Sequence, residues 1–148
     1  MRKIIGLFII IVLLIFTGCS SKQTIEHNYT YKGENEFWSA EYMVNGTGTF
    51  TEKNGITEYE SNCNKTFRIT YKKDLSQLSS VKHMELSYES STGAGKITED
   101  YNDGPPSEKT YTMKSGGKNG AIEKKDEVIK VTINLDGEIQ TIELKNVN

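Results

Sequence analysis

Histidine, cysteine, proline and tryptophan are all scarce in this chain: two, two, two and one among 148 residues. The histidines, His27 and His83, stand far apart, and Cys19 and Cys63 have no ligand-type spacing to each other or to a histidine. That excludes the common zinc patterns and leaves no cofactor or metal motif. The prolines are confined to Pro105-Pro106, so no other position blocks a strand ladder. Basic residues are in slight deficit, with a formal net charge of -2. A nucleic-acid partner would call for a basic patch, so none is expected.

Long hydrophobic runs are lacking too, with one exception. Ile4 to Phe16 is apolar apart from Gly6, follows the basic pair Arg2-Lys3, and ends in the small residues Thr17-Gly18. As a helix it would span roughly 20 Å, short of the roughly 30 Å hydrocarbon core, so it reads as an export signal and not as a membrane anchor. The cysteine that follows sharpens this reading. A thiol is the one good nucleophile in the segment, and Gly18 leaves the adjoining bond accessible.

Phe16-Thr17-Gly18-Cys19 resembles the lipobox of bacterial lipoproteins, departing from it by Phe16 where the family prefers leucine; the position stays apolar. The resemblance implies that the Cys19 thiol takes a diacylglyceryl group and that cleavage falls between Gly18 and Cys19. Cys19 would then be the first mature residue, held on the extracytoplasmic face of the cell membrane. Two acyl chains anchor durably because each buried methylene contributes about 0.8 kcal/mol. Loss of Arg2 and Lys3 leaves 16 basic against 20 acidic side chains. Usage rich in Lys, Asn, Ile and Tyr suggests an AT-rich genome. The whole chain resembles small Gram-positive lipoproteins of unknown function: lipobox, short polar tether, one all-β domain.

Three parts are expected: a signal peptide over 1–18, preceding the fold as a helix; a lipidated cysteine and polar tether over 19–27; and an all-β domain over 28–148. Beyond Tyr29 the hydrophobic period is two. Trp38, Ala40, Tyr42 and Val44 share one face, as do Phe67, Ile69 and Tyr71, and Met84, Leu86 and Tyr88. Glycine, asparagine and aspartate punctuate the runs at Asn45-Gly46, Asn54-Gly55, Gly93-Ala94-Gly95, Asp103-Gly104 and Ser115-Gly116-Gly117. Short alternating strands predict an antiparallel β-sandwich, immunoglobulin-like or related, with a small β-barrel as the alternative. No helical period follows residue 27, and Leu75 to Val81 has room for one turn. The C-terminus predicts its own register: Asp136-Gly137 suits a type I′ turn, pairing Val131 with Ile142, Ile129 with Leu144, and Lys130 with Glu143.

No catalytic set emerges. "EDYNDGPP" offers Asp100, Asn102 and Asp103 as oxygen donors, but its glycine comes one residue early for an EF-hand and the closing glutamate is missing. "STGAGKI" lacks the first glycine and the final hydroxyl of a phosphate loop, and reads as a flexible hairpin connection. His83 falls on a polar strand face. Cys63, without an intramolecular partner once Cys19 is acylated, reads as a buried thiol. Trp38, Tyr42 and Tyr71 read as core, with an aromatic ligand platform as the alternative. Asp and Glu fall mainly in turns and on outward strand positions, where water keeps them ordinary. The function these features point to is a non-enzymatic module that binds an envelope component, a protein or a small ligand. The alternatives are an envelope hydrolase and an assembly lipoprotein that pairs through a sheet edge.

Overall fold

The computed structural model describes residues 21–148; the signal segment, Gly18 and Cys19 lie outside the described residues. Eight antiparallel strands form one sheet: β1 (Ser21–Glu34), β2 (Trp38–Lys53), β3 (Ile56–Tyr71), β4 (His83–Ser90), β5 (Gly93–Asp100), β6 (Thr110–Lys118), β7 (Val128–Leu135) and β8 (Glu138–Asn146). The spatial order is β5-β4-β7-β8-β1-β2-β3-β6. A single 3-10 turn, Leu75–Leu78, lies between β3 and β4, within the segment that had room for one turn.

The all-β class is as the sequence predicts, but the layout is the barrel alternative. A sandwich would divide the strands into two sheets; here β1 pairs with β8 at Tyr31↔Asn146 and Lys32↔Lys145, which joins the two halves into one sheet. That sheet curls until its outer strands, β5 and β6, meet through side chains. Tyr101 and Tyr111 share a hydroxyl–hydroxyl hydrogen bond of 3.0 Å. Gly95 on β5 makes the approach possible: a Cβ there would lie 2.5 Å from Cε1 of Tyr88 and 3.2 Å from Sδ of Met113 on β6. The barrel is thus nearly closed: seven ladders join the eight strands, and a seam of side chains lies where the eighth would be.

The core fills the barrel. Tyr31, Trp38, Tyr42, Val44, Phe67, Ile69, Leu86, Ile129, Val131, Ile133 and Leu144 are 0–1 % exposed and belong to one cluster. These are the period-two positions of their strands, and each large side chain fully buried contributes about 1.5–3 kcal/mol. Tyr88 spans the interior, its ring 4.9 Å from Tyr42 and 5.0 Å from Phe67. The β7–β8 hairpin has the predicted register, Val131↔Ile142, Ile129↔Leu144 and Lys130↔Glu143. Its turn residues Asp136 and Gly137 both take positive φ, 52° and 96°.

Four expectations about boundaries do not hold. Asn45-Gly46 is no turn: β2 runs unbroken through it, and Gly46 packs so closely on β3 that a Cβ would sit 2.8 Å from Cβ of Cys63. Ser115-Gly116-Gly117 likewise lies inside β6, paired to β3, and Gly93-Ala94-Gly95 inside β5, paired to β4. The segment expected to be a tether belongs to β1 from Ser21 on, because Ser21–His27 pairs residue for residue with Gly46–Glu52. The first three strands, of 14, 16 and 16 residues, therefore outrun the barrel. Their far halves form a three-stranded ribbon ending at the Asn54-Gly55 hairpin, whose φ values are 54° and 74°.

Candidate functional site

The two ends of the barrel differ. At the ribbon end the connection between β6 and β7 folds inward and carries Glu123, 1 % exposed. Its Oε1 accepts from the Tyr42 hydroxyl at 2.8 Å, from Lys65 Nζ at 2.9 Å, from Ser90 Oγ at 3.0 Å, and from Thr92 Oγ1. Its Oε2 is buried without a partner. The Lys65 side chain is only 11 % exposed, so the ion pair is largely withdrawn from water. Burial alone pushes the Glu123 carboxyl up; the hydrogen bonds from Thr92, Lys65 and Tyr42 outweigh it and hold the group below its ordinary range. Burial, then the bond to Glu123 and its charge, raise Tyr42 well above the ordinary phenol value. Tyr31, raised by burial and by Glu127 and Glu123, donates to the backbone carbonyl of Lys124 at 2.6 Å. A charge so enclosed closes this end and pins the connection that carries it.

Sequence reasoning missed this cluster. Glu123 lies in a stretch without periodicity, and Asp and Glu are expected in water. Thr92 comes from the segment read as a flexible connection and Ser90 ends β4 just before it, and here they are two of the four donors.

The opposite end is open. A cleft of about 460 Å³ lies between the β1–β2 turn, the 3-10 turn and the β7–β8 hairpin. Its aromatic lining is Phe37, Trp38 and Tyr71, with the Trp38 and Tyr71 rings 4.9 Å apart. Two glutamines stand beside them. Gln77 Oε1 accepts from the Tyr71 hydroxyl at 3.1 Å, and Gln140 Oε1 accepts from Asn35 Nδ2 at 3.0 Å. Those bonds orient both amides. Asn35 in turn holds the wall, its Oδ1 accepting from the N–H groups of Phe37 and Trp38. The indole N–H of Trp38 is buried without a partner. Asp136 at the rim is committed to backbone, accepting from the N–H groups of Lys82 and His83.

The other sequence candidates lie elsewhere. His83 and Asp100 face each other across β4 and β5, with Nδ1 2.7 Å from Oδ1. The polar face of His83 is thus shared with Asp100, one of the oxygen donors of the EDYNDGPP stretch. Among the described residues no group of three or more His, Cys, Asp or Glu gathers at a metal-holding distance. Cys63 is buried with a free thiol. His27 lies on β1, its Nδ1 3.0 Å from the Tyr29 hydroxyl. Trp38 and Tyr71 are core, as one of the two sequence readings has them, and they also stand at the wall of the cleft.

Compared with protein families, with curated proteins and with solved structures, the chain finds no match.

Proposed function

We propose that this is a lipid-anchored extracytoplasmic protein of the bacterial envelope, and that its β barrel is a non-enzymatic binding module. The observation that supports it most directly is the placement of the cleft relative to the lipobox. Cys19 precedes Ser21 by two residues, and β1 runs from Ser21 to Glu34, whose neighbour Asn35 braces the cleft wall. At about 3.3 Å per residue, β1 separates the two by about 45 Å. Anchoring at Cys19 would hold the cleft away from the bilayer, open to the envelope.

The cleft has the chemistry of recognition. The half-buried Phe37 gives apolar contact, with Trp38 and Tyr71 buried behind it as a rigid wall, and a few oriented amides give direction. The amide nitrogens of Gln77 and Gln140 are left for an acceptor, which suits a neutral, oxygen-rich ligand. The test is retention of envelope components from detergent-solubilised membranes on the native lipidated protein, compared with a Gln77→Ala/Gln140→Ala variant. A component held by the first and lost by the second supports the reading. Equal retention by both, or hydrolysis of an envelope polymer by the purified protein, overturns it.

A further inference from the structure

The ribbon is the part of the molecule that the binding reading leaves unused. Its inner face carries Ile25, Phe50 and Tyr59, 40 %, 38 % and 47 % exposed, and its tip carries Ile56, 66 % exposed. Phe50 and Tyr59 pair across β2 and β3 with ring centroids 4.7 Å apart. No other described strand covers either edge of this region: β8 meets β1 only at Tyr31 and Lys32, and β6 meets β3 only from Asn62 onward. A ribbon displaying apolar rings and no strand partner needs an occupant.

We propose that the occupant is the bilayer surface, and that the ribbon is a membrane-apposed stalk with Ile56 in the headgroup layer and the Phe50–Tyr59 pair at its edge. This inference rests on lipidation at Cys19. The register carries it. Ser21 is paired with Glu52, so the Lys53↔Ile56 pair lies one residue further toward the side from which the chain continues to Cys19. Two residues reach at most about 7 Å. The headgroup layer on each side of a bilayer is roughly 5–7 Å deep. An acylated Cys19 therefore leaves the hairpin tip no room to stand clear of the lipid. Aromatic side chains with a polar end favour that zone, and the Tyr59 hydroxyl beside the Phe50 ring fits it. Lys22 and Lys53 are offset by Glu52 and Glu58 at the tip, so charge neither draws nor repels it strongly. The acyl chains supply the attachment, and the apolar tip sets the posture.

A second copy of the chain is the weaker occupant. Antiparallel pairing of two β1 edges would put the two anchors at opposite ends of the shared ladder, and the edges carry Lys22, Glu26, Glu58 and Glu60, which blunt such pairing.

The experiment uses the native lipidated protein in mixed phosphatidylcholine–phosphatidylglycerol vesicles. A spin label is placed at Ile56→Cys and, separately, at Glu138→Cys beside the cleft; Cys63 is buried and shielded from the label. Collision with oxygen and with a water-soluble nickel complex reports depth. The label at residue 56 should lie at headgroup depth and the label at 138 in water. Vesicle-bound, lipidated protein with both labels equally in water overturns the stalk and leaves the anchor standing. Protein that carries no lipid and does not sediment with vesicles overturns both. Dipolar broadening between labels at residue 56 overturns the stalk in favour of a second copy.

Discussion

Tyr42 donates its hydroxyl to Glu123 Oε1 at 2.8 Å, across 81 residues of sequence. The bond ties β2 to the connection between β6 and β7, and with Lys65 it encloses a carboxylate that water barely reaches. Removing one side of a buried pair leaves the other charge uncompensated, at a cost of about 3–5 kcal/mol. Glu123→Ala and Lys65→Ala should each destabilise the protein by about that much in urea unfolding. The double variant should cost less than the two together, by about 0.5–3 kcal/mol of coupling. Strict additivity would show that the two groups do not interact.

Tyr42→Phe should cost about 1.5–3 kcal/mol, the range for a hydrogen bond to a charged group. A shift in the urea midpoint with an unchanged slope is the expected signature. A midpoint equal to the wild type would mean that Ser90, Thr92 and Lys65 satisfy Glu123 by themselves.

Acid should weaken this end of the barrel. The folded Glu123 carboxyl lies below its ordinary value of 4.5, so the folded state binds its proton less readily than the unfolded chain. Its contribution is fully present above that value and is lost as pH falls through the lower folded value. Unfolding free energy measured between neutral pH and pH about 3 should decline more in the wild type than in Glu123→Gln. Parallel curves would remove Glu123 as the source.

Gly95→Ala tests the seam. Its Cβ would enter the Tyr88 ring, which is itself wedged against Tyr42 and Phe67 and cannot swing away. Overpacking of this kind costs about 1–3 kcal/mol. Amide exchange should rise in β5 and β6 before it rises in β1 and β2. A neutral substitution would mean that the seam has slack.

Trp38 is the sole tryptophan and fully buried, so it reports on the cleft alone. Its emission should be blue of that of an exposed indole and poorly quenched by acrylamide, and a ligand seated in the cleft should change it. Emission at the wavelength of free tryptophan would place the ring outside the core.

Replacing Cys19 by alanine should abolish lipid attachment and leave the protein unprocessed at Gly18. Mass spectrometry of membrane-extracted material reads this directly. A wild-type protein with an intact Met1–Gly18 segment would remove the anchor.

By itself, the sequence determined the all-β class, the buried faces of β2, β3 and β4, and the whole β7–β8 hairpin. The reason is locality. A period of two sorts each strand's side chains whatever it pairs with, and a two-residue Asp136-Gly137 turn leaves one register for Val128–Leu135 against Glu138–Asn146. Only the tertiary structure decided between sandwich and barrel, because that choice rests on β8 meeting β1, a pairing between the two ends of the described chain that no local pattern encodes. Asn45-Gly46 and Ser115-Gly116-Gly117 carry turn chemistry, yet long-range ladders straightened them, since glycine permits a turn without compelling one. The cleft arises where three separate connections converge, and its residues share no spacing. Glu123 was invisible for the same reason: whether a glutamate is buried depends on what surrounds it in space, and its four donors come from Tyr42, Lys65, Ser90 and Thr92, each 31 to 81 residues away along the chain.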